Sequence, residues 1–276
     1  MMLLNKLHRV TTGILVMALA LLFGWVDSVS AQAERVWIPD GSYHSLFPET
    51  EGEPLQVHGF YLDETPVTNS QFLEFVQNHP EWQKERVPRL FAGNEYLRHW
   101  ESGLEPGNET LSEENRPVTR VSWFAASSYC EASGGRLPTM AEWEYAAISL
   151  DLESVQEWET LGYELIGWYS SVDAGDLREV GSDDRISRFG VRDLHGLVME
   201  WVEDFRPPIA DDISFDCGTA GRLQSDETSF SYARVIRTLT RMSYTPQTSI
   251  GILGFRCAYD GDRAKAGDQL KDLSER

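Results

Sequence analysis

The stretch Pro117–Ala147, PVTRVSWFAASSYCEASGGRLPTMAEWEYAA, constrains the fold more than any other part of this chain. Ser122 is a good N-cap for a first helix, because its hydroxyl can accept a hydrogen bond from a free helical N–H. Gly134 can take the left-handed position that ends that helix. Thr139 and Glu142 form a capping box at the start of a second helix. The stretch therefore predicts two short amphipathic helices, joined by a Gly–Gly turn and packed on a sheet.

The N-terminal residues 1–33 have the pattern of a secretory signal peptide. Lys6 and Arg9 form a basic region, an apolar run covers Val10–Val26, and small residues then offer a cleavage site. A retained membrane anchor is the alternative, although Thr and Gly residues interrupt the run. No other segment is apolar for long enough to span a bilayer. We therefore expect a secreted, periplasmic protein with no stable membrane span after cleavage.

The remaining chain shows no internal repeat and no linker, so residues 34–260 are predicted to form one domain. Residues 261–276 form a charged tail. The formal net charge is −20. Because phosphate contacts need a basic surface, this charge argues against nucleic-acid binding. An acidic surface could attract cations or a basic partner, and it also fits ordinary solubility.

Other segments give weaker signals. Alternating apolar residues before Pro39 predict that residues 35–42 form a strand followed by a turn. Residues 55–62 are predicted to form a second strand, and the sequence at 166–169 is typical of a buried strand. A second capping box, Thr68 with Gln71, begins a helix. Residues 81–116 are polar without a clear period and predict a long loop.

The amino-acid sequence resembles the formylglycine-generating enzyme (sulfatase-modifying factor) family over nearly the whole mature chain. The matching segments are Pro117-Val118, Val121–Trp123, Tyr129-Cys130, Arg136–Ala147, Phe189–Asp204 and Gly254–Cys257. The resemblance implies a single α+β domain like C-type lectins, with short strands, two central helices and much irregular chain. A fold hosts many activities, so membership alone does not assign a function.

Three cysteines are present: Cys130, Cys217 and Cys257. In an oxidising compartment two of them would pair and one would remain. The resemblance implies a disulfide between Cys130 and Cys257, which leaves Cys217 as the odd thiol.

The chain departs from the active enzymes at their chemical centre. In the active enzymes of the family that this chain resembles, two nearby cysteines bind copper(I), a metal suited to soft thiolates. The corresponding positions fall near Thr228 and Ala233, and residues 218–256 contain no cysteine. Related iron enzymes use three histidines, but no HxxxHxE pattern occurs here. The sequence therefore argues against an active formylglycine-generating oxidase.

The resemblance also implies a calcium site in the segment 193–200. Asp193 and Glu200 would supply side-chain oxygens, and Gly196 and Val198 would supply carbonyls. Hard oxygen ligands of this kind are what calcium prefers. The alternative is that the two carboxylates cap or pair locally.

The segment Phe215–Gly221 contains a Cys–Gly element, and the segment 196–205 departs from the usual family sequence at Leu197 and Met199. Together these two segments resemble one subgroup of the family, the nitrite-reductase accessory proteins called NirV. Cys217 is thus a candidate copper(I) ligand. The alternative is a buried inert thiol, since free cysteine often behaves as a small hydrophobe.

The sequence leaves three hypotheses. The first is an exported accessory protein, without the oxidase cysteine pair, that assists maturation of a copper-containing nitrite reductase or another secreted redox protein. The second is an enzyme that oxidatively modifies a peptide or a peptide-derived metabolite, as in siderophore maturation or formylglycine formation. The third, resting on the fold alone, is a carbohydrate- or protein-binding module.

Overall fold

A computed structural model describes residues 34–45, 53–107, 113–171, 177–205 and 228–261. The predicted signal peptide, Cys217 and the predicted tail beyond residue 261 lie outside the described residues. Among the residues that are described, no helix has the length and apolarity needed to cross a membrane.

Short strands form three small sheets. The first is antiparallel, in the order β1–β4–β7, the second pairs β2 with β3 antiparallel, and the third pairs β5 with β6 in parallel. Their bounds are β1 Arg35–Ile38, β2 Gly41–Tyr43, β3 Leu55–Val57, β4 Phe60–Asp63, β5 Met199–Glu200, β6 Leu253–Gly254 and β7 Ala258–Asp260.

Helices connect and cover these sheets. Their bounds are α1 Asn69–Asn78, α2 Trp123–Ala132, α3 Met140–Ile148, α4 Val155–Ser171 and α5 Ser229–Met242, and a single 3-10 turn follows α1 at Pro80–Trp82. The described part of the chain therefore confirms a mixture of helix and sheet. Between the 3-10 turn and α2 the described residues form turns and bends, in agreement with the predicted loop.

The helix ends predicted from local sequence are confirmed. The Ser122 hydroxyl accepts a hydrogen bond from the N–H of Ala125 at 3.2 Å. At the start of α3, Thr139 and Glu142 each accept from the other residue's backbone N–H, at 3.2 and 2.8 Å. Gly134, with φ of +77°, adopts the left-handed conformation after α2. The capping box of Thr68 and Gln71 is also present, at the start of α1.

The strand predicted at Ile166–Tyr169 is wrong, because these residues form the last turns of α4. Leu161 and Leu165 repeat at helical spacing and are buried against Phe230 of α5. Burial of this helical face decides the conformation, whereas the short apolar run alone is ambiguous between helix and strand.

The strand predicted at 55–62 is in fact two strands. Leu55–Val57 pairs with β2, and Phe60–Asp63 pairs with β1. The break falls at Gly59, whose backbone N–H donates to the Asp40 carboxylate at 2.8 Å instead of to a neighbouring strand.

The main core joins the α2–α3 pair to the sheets. Trp143 of α3, Trp201 after β5 and Phe255 after β6 are almost fully buried within it. This packing brings α3, β5 and the residues after β6 together, and the candidate site lies there.

Candidate functional site

The four predicted calcium ligands lie in and before β5. Asp193, Gly196 and Val198 belong to the loop that precedes the strand, and Glu200 is its second residue. Asp193 and Gly196 both have positive φ, +57° and +75°. Glu200 is fully buried, and Asp193 is 1% exposed.

Both carboxylate oxygens of Glu200 are hydrogen bonded. Arg256 donates to them through Nη2 and Nε, each at 2.8 Å, and the Trp143 indole N–H donates to Oε2 at 2.7 Å. Arg256 also donates to the Arg192 carbonyl at 3.0 Å. Glu200 is thus one partner of a bidentate buried ion pair.

A second arginine occupies the other end of the predicted ligand set. Arg178 Nη1 donates to the Gly196 carbonyl at 2.8 Å, and its Nη2 lies 3.5 Å from Asp193 Oδ1. The other oxygen of Asp193 accepts from the Gly181 N–H. Burial raises the pKa of Asp193, although the Gly181 N–H and the nearby Arg256 and Arg178 favour its charged form.

This arrangement does not fit a calcium ion at the predicted residues. The Glu200 oxygens and the Gly196 carbonyl already accept hydrogen bonds from arginines. Among the described residues, no group of three or more His, Cys, Asp or Glu side chains could hold a metal.

A buried charge cluster on α3 and α5 was missed by the sequence analysis. Glu144 is 3% exposed. Arg237 donates to both its carboxylate oxygens, from Nε at 2.9 Å and Nη2 at 2.7 Å. Arg234 donates at 3.4 Å, and Arg241 lies 3.7 Å away. The spacing of the three arginines, i, i+3 and i+7, was the available signal, since it places them on one face of a helix.

The cluster is continuous with the Glu200 ion pair through Trp143. The guanidinium carbons of Arg237 and Arg241 each lie 4.7 Å from the centre of a Trp143 ring, a cation–π distance. Arg241 also donates to the Glu200 carbonyl at 3.1 Å. The side chains of α3, β5 and α5 are therefore locked together by charge as well as by apolar contact.

Glu144 and His195 each keep a single protonation state at neutral pH. Burial opposes ionisation of Glu144, but Arg237, Arg234 and Arg241 together hold its pKa at about 2. Burial lowers the pKa of His195 to about 3, and its Nε2 lies 2.8 Å from the Ala147 carbonyl oxygen. Neither group has the pKa near 7 that suits a general acid or base.

Thr228 and Ala233, near which the resemblance places the oxidase cysteines, have structural roles. The Thr228 side chain caps α5 by accepting from the Ser231 N–H at 3.1 Å. Ala233 is fully buried in the apolar contact between α4 and α5, beside Leu161, Leu165 and Phe230. Neither side chain carries a sulfur atom, so neither can serve as a thiolate ligand.

The structure joins Cys130 of α2 to Cys257, the pair that the resemblance implies, with 5.4 Å between the two Cα atoms. Both residues are fully buried. Cys217, the candidate copper ligand, lies outside the described residues.

A surface cavity of about 360 Å³ lies beside the Gly134–Gly135 turn. It contains none of the predicted site residues. Its Arg35 guanidinium stacks on the Tyr259 ring at 3.4 Å, and its Arg136 binds Glu142 and Asp260. Both arginines that line the cavity therefore already contact other side chains of the protein.

Asp63, at the end of β4, is a buried carboxyl group with a shifted pKa. Burial raises it to about 7, although the Cys257 N–H and the nearby charge of Arg256 favour the ionised form. Its Oδ2 accepts from that N–H at 3.0 Å. Because the folded pKa lies above the ordinary value of 3.8, the fold favours the protonated acid.

The substitution Asp63→Asn is expected to stabilise the protein at pH 8 and to have a smaller effect near pH 4. The native carboxyl group loses its proton as pH rises through about 7, so the wild type loses up to about 4 kcal/mol of unfolding free energy between roughly pH 4 and 7. Asparagine keeps an oxygen for the Cys257 N–H and does not titrate. Urea unfolding across this pH range measures the difference.

The control is Asp151→Asn, since the Asp151 side chain is 88% exposed. Its pH profile should run parallel to that of the wild type. A parallel profile for Asp63→Asn as well would contradict the raised pKa.

Comparison with known proteins places the chain in a family. Residues 26–261 match the FGE-sulfatase family, described as the sulfatase-modifying factor enzyme 1-like domain. The formylglycine-generating enzyme of Streptomyces coelicolor is 30% identical over 261 residues, covering 78% of this chain and 82% of that protein. The inactive C-alpha-formylglycine-generating enzyme 2 of Mus musculus is 28% identical over 258 residues, covering 79% and 80%.

Among solved structures, that of PvdO from Pseudomonas aeruginosa aligns with a TM-score of 0.49 and 16% identity, over 86% of this chain and 97% of that one. The sequence match, which spans most of the chain, identifies the family. This chain is a member of the sulfatase-modifying factor (formylglycine-generating enzyme-like) family.

Proposed function

We propose that this protein is an exported accessory member of its family, without formylglycine-generating oxidase activity. Its client would be a secreted redox protein, such as a copper-containing nitrite reductase, whose maturation or assembly it assists. The observation that carries the proposal is that residues 218–256, where the resemblance places the two copper-binding cysteines, contain no cysteine.

The chemistry explains why this observation matters. Copper(I) is selected by soft thiolate ligands, and an oxidase that holds copper through two cysteines loses its metal without them. Thr228 has instead become a helix cap, and Ala233 part of an apolar interface. The Mus musculus relative, whose name includes the word inactive, supports the view that family members exist without the oxidase activity.

The partner rests on sequence features. The predicted signal peptide would deliver the protein to the compartment of secreted redox enzymes, and the NirV-like segment around Cys217 favours a nitrite reductase. Copper binding through Cys217 stays a prediction. The C-type-lectin-like architecture is likewise part of this proposal.

We expect the purified mature protein to leave a sulfatase peptide unmodified. The peptide's cysteine would be incubated with the protein, copper(I) and oxygen, and the conversion of thiol to aldehyde followed by mass spectrometry. The formylglycine-generating enzyme of Streptomyces coelicolor, treated identically, is the positive control. Aldehyde formation by the present protein would favour the alternative, an enzyme that oxidatively modifies peptides.

The accessory role has its own test. A copper nitrite reductase would be produced in cells with and without this protein, and its copper content and specific activity measured. The proposal expects both to fall without the protein. Unchanged values would rule out this client, whatever the result of the peptide assay.

A further inference from the structure

Arg178 lies where the family resemblance leads one to expect a metal cation. Its guanidinium contacts three groups: the Gly196 carbonyl at 2.8 Å, Asp183 Oδ2 at 2.7 Å and Asp193 Oδ1 at 3.5 Å. Each contacting atom is an oxygen, and two of the three oxygens belong to carboxylates. This is the ligand chemistry of a hard cation, here satisfied by a side chain of the same protein.

The charged form of Asp193 needs a nearby positive charge. The residue is 1% exposed, and its Oδ1 atom has no hydrogen-bond partner. A buried carboxylate without a counter-charge is strongly destabilising. Arg178 Nη2 lies 3.5 Å from this Oδ1 atom. Arg256 also favours the charged form of Asp193, but its bidentate contact is with Glu200.

The backbone of the loop is shaped for this contact. Asp193 has φ of +57°, a conformation that costs energy for a residue with a side chain, and Gly196 has φ of +75°. These two turns direct the Asp193 carboxylate and the Gly196 carbonyl to the same guanidinium. Asp183 is brought to it from the preceding loop, where its other oxygen accepts from the Arg185 N–H at 2.9 Å.

We propose that Arg178 is the resident cation of this loop, so that the fold is independent of calcium, and that its removal leaves Asp183, Asp193 and the Gly196 carbonyl as a calcium site. The proposed site differs from the one expected from sequence, because Asp183 replaces Glu200, which is held by Arg256. The inference does not depend on the proposed function.

The first test uses the wild-type protein. Its thermal unfolding midpoint should be the same in EDTA and in millimolar CaCl2. A midpoint that rises with CaCl2 and falls with EDTA would overturn the proposal, because it would show calcium as the resident cation.

The second test uses the variant Arg178→Gln. Its midpoint in EDTA should lie below that of the wild type, and CaCl2 should raise it, since a ligand that binds only the folded state stabilises that state. Arg188→Gln is the matched control, because the Arg188 side chain is 59% exposed and its ion pair with Asp151 spans 3.5 Å. It should unfold like the wild type in both solutions.

Two results for Arg178→Gln would overturn the proposal: a midpoint equal to that of the control, or a lowered midpoint that calcium does not raise. If this variant does not fold, Arg178→Lys keeps a positive charge while losing the planar fork of donors. It should unfold below the wild type and remain insensitive to calcium, and a calcium response there would also overturn the proposal.

Discussion

Replacing Glu144 by glutamine is expected to destabilise the protein by about 3–5 kcal/mol. The carboxylate is 3% exposed and accepts two hydrogen bonds from Arg237. Glutamine preserves the volume but removes the charge, so it leaves buried arginines without their anion. Urea unfolding at pH 7 measures the loss.

Two further variants separate this explanation from a general effect of the substitution. Glu164→Gln removes a carboxylate that is 54% exposed and paired with Arg185, and it should cost less than about 1 kcal/mol. Adding Arg237→Gln to Glu144→Gln should cost less than the sum of the single changes, because the two residues are directly coupled. Similar small losses for both glutamates would contradict the proposed role of the cluster.

The same variant has a predictable pH profile. The folded pKa of Glu144 is about 2, below its ordinary value of 4.5. The ionised form of Glu144 therefore stabilises the fold at any pH above the ordinary pKa of 4.5. This contribution is lost as the pH falls through about 2. The difference between wild type and Glu144→Gln should be largest near neutrality and should narrow in acid.

Removing the disulfide with the double variant Cys130→Ala, Cys257→Ala is expected to cost about 5 kcal/mol. The bridge closes a loop with a sequence separation of 127 residues, and the chain-entropy model assigns roughly that value to a loop of this length. The bridge also ties α2 to the start of β7, so its loss should release both elements. Denaturant unfolding under identical non-reducing conditions measures the effect.

The single variant Cys217→Ser is the control, since it removes a thiol but leaves both bridge cysteines in place. After denaturation without reductant, it should contain no thiol that reacts with an alkylating reagent, whereas the wild type should contain one. A double alanine variant as stable as the wild type would contradict the expected contribution of the bridge.

Local signals explain which parts of the fold could be predicted. The ends of α2 and α3 depend on residues within four positions of each other, as in the Thr139 and Glu142 capping box, so sequence alone was sufficient. The strand predicted at Ile166–Tyr169 failed for the opposite reason. Its four residues suit either conformation, and the contact of α4 with α5 selected the helix.

In the candidate site, too, some features follow from the sequence alone and others depend on tertiary contacts. The missing cysteine pair could be established by counting residues, because an absent side chain cannot be restored by folding. Cysteine count left three pairings open, the resemblance named one, and the structure has that pair. The Glu144–Arg237 ion pair joins residues 93 positions apart. The spacing of the arginines indicates that they share one face of a helix, but it does not indicate that Glu144 is their partner.

The sequence by itself determined the family, the principal helix boundaries and the absence of cysteine from residues 218–256, since each depends on residue identity or on near neighbours. Only the tertiary structure decided which charges meet. It placed Arg178 against Asp193 and the Gly196 carbonyl and Arg256 against Glu200, the oxygens expected to bind calcium. It also placed three arginines of α5 around Glu144. The physical reason is that a buried charge must be neutralised by whichever group the fold brings within contact distance.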